Sequence, residues 1–236
     1  MVKKNQIIIF LVIFISIIFS QKNDSVFIQE DFKDLKSWRP LTFPKIESHS
    51  EYEINKKDTM SYLRAISDSS ASGLIFKKTF NVYDYPIVEW KWKVKNILEK
   101  GDATLKEGDD YPLRIYIIFQ YDPDEAGLFE KAQYNAAKIL YGEYPPHSSL
   151  NYIWANRKQD SIITNPFVDK AKMIPLRQGK KNVDRWMKEK INIMRDYKRA
   201  FDEKPPQTAS LAIMSDSDNT GGTARGFLDY IKVIKE

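Results

Sequence analysis

Apolar and polar residues alternate along much of this chain with a period of two, the pattern of strands that bury one face. The clearest stretch is Val88 to Val94. Val88, Trp90, Trp92 and Val94 share one side, while Glu89, Lys91 and Lys93, followed by Lys95, share the other. Ser50 to Ile54, Thr59 to Ser67, Gly73 to Phe80, Leu113 to Gln120, Asn151 to Asn156, Ser210 to Met214 and Gly226 to Ile234 read as further strands. Asp31 to Trp38 is an aromatic-bounded segment, and Pro40 and Pro44 limit regular structure after it. The cluster from Ser67 to Gly73, the polar connection at 96–110 and the pair Gly221-Gly222 punctuate the strands.

Two segments have a different spacing. From Asp124 to Tyr141, Leu128, Ala132, Ala136, Ile139 and Leu140 fall near one stripe and Gly142 offers a stop, which predicts a helix. Residues 183–202 fit both periods. Val183, Trp186, Met187, Ile191, Met194, Tyr197 and Phe201 make a helical stripe, yet Met187, Glu189, Ile191 and Ile193 alternate. The reading adopted is a strand through Ile193 and a helix from Met194 to Phe201. The predicted fold is a single-domain antiparallel β-sandwich of jelly-roll type, galactose-binding-like or concanavalin-like, with one to three peripheral helices.

An internal echo bears on where the strands end. Tyr141-Gly142-Glu143-Tyr144-Pro145-Pro146 and Phe201-Asp202-Glu203-Lys204-Pro205-Pro206 each close a helix, stop it with paired prolines and lead into a β run. If both stops launch strands in one direction, Trp154-Ala155-Asn156 and Ser215 to Asn219 lie on the same rim.

The chain has 236 residues and a formal net charge of +5. Lys3 and Lys4 followed by the apolar run Ile7–Phe19, with Ser20 as a small residue at the cut, read as an export signal over residues 1–20. The run is short for a bilayer span, and an uncleaved N-terminal anchor is the competing reading. Residues 21–30 form a polar lead-in, and 31–236 the sandwich domain. The expected location is exported, periplasmic or secreted, with membrane contact only through an uncleaved N-terminus. No cysteine is present, which rules out disulfides and thiolate metal sites. The lysines are scattered rather than clustered, so nucleic acid is not an expected partner.

The passage Lys106-Glu107-Gly108-Asp109-Asp110-Tyr111-Pro112-Leu113-Arg114 carries the most informative chemistry. An acidic turn runs into a strand with an arginine inside it, and an arginine there must reach solvent or a carboxylate. Arg114 and Tyr116 share a face, opposite Ile115, Ile117 and Phe119. One reading is a ligand platform in which the arginine donates to hydroxyls or carboxylates and the tyrosine stacks on a sugar. The other is a salt bridge from Arg114 to Asp109 or Asp110. Trp90 and Trp92 read as core before platform, and Trp154 is open between the two. The candidate ligand site is Asp109, Asp110, Arg114, Tyr116, Trp154, Asn156, Asp216, Asp218 and Asn219.

Asp216-Ser217-Asp218-Asn219-Thr220-Gly221 resembles the early half of a calcium loop, but position twelve is Phe227 rather than glutamate, which rejects an EF-hand. Asp216, Asp218, Thr220 and Asp229 are weak calcium candidates, and no other cofactor is expected. His49 and His147 read as surface loop residues. Neither a nucleophile elbow, a phosphate loop nor a zinc motif is present.

The segments Leu41 to Ile46, Ser69 to Leu74, Glu89 to Val94, Lys106 to Pro112, Asn151 to Asn156, Asp196-Tyr197 and Met214 to Thr220 resemble a bacterial family of exported proteins of undetermined role, domain of unknown function 3047. That resemblance implies one exported domain and brings no catalytic residues. The layout, opening on Asp31, Phe32 and Trp38 and closing on Phe227 to Val233, is also similar to jelly-roll glycan-binding modules. The expected function is therefore binding of a glycan or other polar small ligand. A carbohydrate hydrolase or lyase using paired aspartates is the alternative, and a structural or assembly protein of the cell envelope a second one. The sequence leaves the oligomeric state open.

Overall fold

The computed structural model describes residues 25–57, 60–141 and 144–236. The predicted signal segment, Thr59 and the helix stop at Gly142 lie outside them. Among the described residues, the chain order is β1 (Val26–Glu30), β2 (Trp38–Leu41), β3 (Glu51–Lys57), β4 (Met60–Asp68), β5 (Ala71–Asn81), β6 (Ile87–Val94), β7 (Arg114–Phe119), α1 (Leu128–Tyr141), β8 (Ser148–Ala155), β9 (Ile163–Thr164), β10 (Ala171–Gln178), β11 (Met187–Asn192), α2 (Ile193–Phe201), β12 (Thr208–Asp216) and β13 (Thr223–Ile234). A single 3-10 turn covers Lys106–Gly108.

The strands form two sheets, as the alternation predicts. The first runs β11-β6-β13-β4-β3, and the second β2-β5-β12-β7-β8-β10-β9. β13 is long enough to hold β4 along its first half and β1 along its last. Pairing is antiparallel except between β8 and β10. Between them the sheets enclose Val88, Trp90, Trp92 and Val94 from β6, Ile115, Ile117 and Phe119 from β7, and Leu150, Tyr152 and Trp154 from β8. Trp92 meets Trp154 with ring centroids 5.7 Å apart, and Trp90 meets Tyr152 at 5.5 Å. The charged side of β6 faces outward and pairs with its neighbours: Glu89 with Lys190 at 2.9 Å and Lys91 with Asp229 at 2.7 Å.

The ambiguous stretch resolves as a strand followed by a helix. Asn192 ends β11 and caps α2, its side chain accepting from the Arg195 amide at 3.0 Å. Two strands carry no clear period. Val26–Glu30, inside the polar lead-in, pairs with β13, and Ala171–Gln178 contains Pro175, where its register on β8 slips.

Because β8 and β12 both run antiparallel to β7, they are parallel to each other and two strand spacings apart. Their ends, Ala155 and Asp216, share one rim as the proline echo suggests. At that rim, residues 95–113 and 156–170 fold over the outer face of the second sheet. Ala103, Tyr111 and Ile163 pack there on Ile153, Ala155 and Met173, making a small second core.

Candidate functional site

Arg114 opens β7 on the outer face of the second sheet, directly beneath this cover. Its guanidinium donates to Asp216, at the end of β12, and reaches Asp109 Oδ1 at 3.4 Å. Asp216 Oδ1 accepts from the Tyr111 amide at 3.2 Å, and Asp109 Oδ2 from Asn165 Nδ2 at 2.8 Å. The guanidinium carbon lies 4.8 Å from the Tyr111 ring centroid and 5.7 Å from that of Tyr116. Several distant turns therefore converge on one arginine, as the acidic passage suggests.

The convergence is sealed from solvent. Arg114 and Asp109 are each 4% exposed, Asp216 1% and Asp110 0%. Asp110 is consumed by the loop after β12: its carboxylate accepts from Asn219 Nδ2 at 3.0 Å and from the Thr220 amide at 2.6 Å. Asn156 is a clamp, accepting from the Leu98 amide at 2.9 Å and donating to the Asp110 carbonyl at 2.6 Å. These groups hold the cover down, and their polar atoms are turned inward. That corrects the expectation of an open ligand site at Asp109, Asp110, Arg114, Asn156 and Asp216. Arg114 resolves as an ion pair, and Asp216, remote in sequence, is its nearer partner. Trp154 is corrected too: it is fully buried in the main core, and its indole donates to the Gly179 carbonyl at 3.2 Å.

Two carboxylates, Asp109 and Asp216, reach this guanidinium, and Asp110 and the half-buried Asp218 lie close to Asp216. Burial pushes the Asp216 carboxyl well above the usual carboxylate range against the pull of Arg114, with Asp109, Asp110 and Asp218 adding to the rise. Asp218 is raised by burial and by Asp110. One carboxylate oxygen each from Asp110, Asp216 and Asp218 lies within 4.8 Å of the others, the arrangement that could hold a metal ion. Asp229 is outside that group, on β13 beside Lys91. Thr220 sits against Asp110 through its amide, and its hydroxyl has no partner.

The cover thins at the next register row of the sheet, where Met173 and Asn151 stay buried and, of the three, only Tyr116 is partly exposed. There Tyr116 is half-buried beside Asn151 of β8, its direct cross-strand partner. The Asn151 side chain is 2% exposed, yet its Oδ1 accepts no hydrogen bond. A buried amide oxygen left unpaired costs about 1–3 kcal/mol and calls for a donor. Ile75, Ile118 and Ser149, all half-buried, continue the same outer face. Tyr116 is thus the one expected site residue that combines an aromatic face with access to solvent on this sheet. Sequence reasoning passed over Asn151. The signal was its place two residues from Ile153, on the side of β8 opposite Leu150, Tyr152 and Trp154.

The family model described as "Protein of unknown function (DUF3047)" matches residues 36–232. No curated protein matches the chain. Among solved structures, the chain is similar to the family 11 carbohydrate-binding module of the cellulosomal cellulase Lic26A-Cel5E of Clostridium thermocellum, at 10% identity and a TM-score of 0.45, covering 88% of this chain and 92% of that one. It is also similar to endoglucanase 3 from family GH12 of Trichoderma harzianum, at 7% identity and a TM-score of 0.38, covering 85% and 99%. Lectin I-B4 of Griffonia simplicifolia, in its metal-free form, gives 8% identity and a TM-score of 0.37, covering 87% and 98%.

Proposed function

We propose, from the premise that the chain belongs to the DUF3047 family of proteins of unknown function, that it binds an oligosaccharide or similar polyhydroxylated ligand on the outer face of its second sheet. The observation that carries this reading is the partly exposed ring of Tyr116 beside the Asn151 amide, whose buried Oδ1 has no partner and must turn outward to meet a ligand. A sugar presents both matching groups. Its C–H face stacks on an aromatic ring, and an adjacent hydroxyl donates to an amide oxygen.

Binding is favoured over hydrolysis because the acids available for catalysis are engaged elsewhere. Asp109, Asp110 and Asp216 are buried and occupied by Arg114, Asn165, Asn219 and backbone amides. A glycosidase needs two carboxyls flanking a reachable bond. A solvent cavity of about 180 Å³ near this rim is lined by Leu98, Glu99, Lys100, Thr220, Gly221 and Gly222, small for a chain of sugars. The ligand would be met outside the cell membrane, where the N-terminal export pattern would deliver the protein.

The test is a glycan array followed by titration of the best oligosaccharide against the parent chain and the Tyr116→Ala, Tyr116→Phe and Asn151→Ala variants. One lost hydrogen bond or stacking contact is worth about 1–1.5 kcal/mol, so each alanine change should weaken binding about five- to tenfold. Tyr116→Phe should retain most of the affinity. Parent-level binding by both alanine variants, with their circular dichroism unchanged, would overturn the proposal.

A further inference from the structure

Helix α1 is amphipathic in the wrong sense for a helix packed on a domain. Its polar and aromatic side meets the body. Tyr134 stacks on Tyr121 with ring centroids 3.7 Å apart and donates to the Pro146 carbonyl at 3.3 Å. Glu130, one turn earlier, lies 3.7 Å from Lys170 Nζ. The predicted apolar stripe points away from the body: Leu128 is 89% exposed and Ile139 88%, with Phe129 beside them at 86%. Ala132 and Ala136 are exposed as well and fall within the same arc, about 100° wide at 3.6 residues per turn. A continuous apolar helix face directed at solvent marks a contact surface.

The rest of the chain indicates what covers it. α1 lies at the end of the sandwich where β7 finishes and β8 begins. β6 starts at that same end, joined by the short turn 82–86 to the end of β5, whose last residue pairs with the first of β12. Val26 and Ile87 both pair with Ile234 there, so the described chain also begins at this end. Only residues 20–24 separate Ser25 from the apolar run Ile7–Phe19. Five extended residues reach about 17 Å. Where that run is kept as the uncleaved anchor rather than cut at Ser20, this end of the domain is held at the lipid surface.

We infer that the exposed face of α1 seats in the interfacial layer of a phospholipid bilayer, lying flat with Leu128, Phe129 and Ile139 among the acyl chains. The geometry is that of an in-plane amphipathic helix. Lys131 and Lys138 border the apolar arc on one side, where anionic headgroups would meet them. Asp122, Asp124 and Glu125 precede the helix, so the apolar face contributes first and headgroup charge second. No helix of the described residues is long and apolar enough to cross a membrane, and none is required here.

The absence of cysteine makes the test direct. Single cysteines replace Phe129, Ile139 or, as a control in the cover at the far rim, the 53% exposed Leu105. Each full-length variant carries an environment-sensitive fluorophore and is mixed with vesicles of phosphatidylethanolamine and phosphatidylglycerol. The probes at 129 and 139 should shift to the blue and brighten by about twofold or more as they leave water, and the probe at 105 should not change. Equal responses at all three sites, or none at 129 and 139, overturn the inference. So does a response that appears without vesicles as protein concentration rises, because the face would then be covered by a second copy of the chain. Residues 129 and 139 are almost fully exposed, so the substitutions leave packing intact.

Discussion

Replacing Arg114 by methionine keeps most of the buried stem and deletes the charge. Asp216 then loses its partner, Asp109 keeps only Asn165, and the contact with the Tyr111 ring disappears. Removing one partner of a buried ion pair costs about 3–5 kcal/mol, against about 5–15 kcal/mol for the whole domain. For a chain of this size each kcal/mol moves the melting midpoint by about 2–4 °C, so Arg114→Met should melt about 6–20 °C below the parent. The assay is urea and thermal unfolding followed by tryptophan fluorescence, with Arg114→Met/Asp216→Asn alongside. The double variant should recover much of the loss, since the uncompensated carboxylate is what makes the single change expensive. The pH dependence has a definite sign. Asp216 already binds its proton more tightly folded than unfolded, and Arg114 is what opposes this. Without the arginine the folded state holds the proton tighter still, so the variant's deficit should shrink as pH falls from 7 toward the carboxylate range. A single variant within about 1 kcal/mol of the parent at neutral pH, or a double variant no more stable than the single, would refute the reasoning.

Asp218 has a folded carboxyl raised by burial and Asp110, so it contributes stability at acid pH that is lost as pH rises through its folded value. Asp218→Asn should therefore melt higher than the parent at pH 7 and show a flatter acid-side profile, and superimposable melting-versus-pH curves would contradict this. Trp154→Ala removes a fully buried side chain and should cost about 3–5 kcal/mol in urea titrations. Any oligosaccharide bound by the parent should still bind the folded fraction of that variant, because Trp154 is on the other side of the sheet from Tyr116.

Much of the fold was legible because β6, β7 and β13 state it locally. Alternation of tryptophan and valine with lysine and glutamate is enough to orient a strand. β1 and β10 were not legible: one is short and polar, and the other carries a proline and gains its place from the parallel neighbour β8. The site divides in the same way. That Arg114 needed a carboxylate followed from charge burial alone, and the shared rim of β8 and β12 followed from two proline stops. That residues 95–113 and 156–170 would close over the arginine did not follow, because it depends on Tyr111, Ile163 and Met173 meeting across long separations. For α1 the period was right, but periodicity cannot tell which side of a helix meets the body. Tyr121 and Tyr134 decide that by stacking.

The central claim, that ligand is met on the partly exposed outer face of the second sheet around Tyr116, is tested most directly by mapping. Backbone amide shifts of the parent chain would be followed as the best oligosaccharide of the array is titrated in. The account predicts changes grouped at Ile75, Tyr116, Ile118, Ser149 and Asn151, with little at Arg114, Asp216 or Trp154. Changes centred instead on the aromatic group Tyr62, Trp186 and Phe227 of the opposite sheet, or on the buried acids, would contradict it.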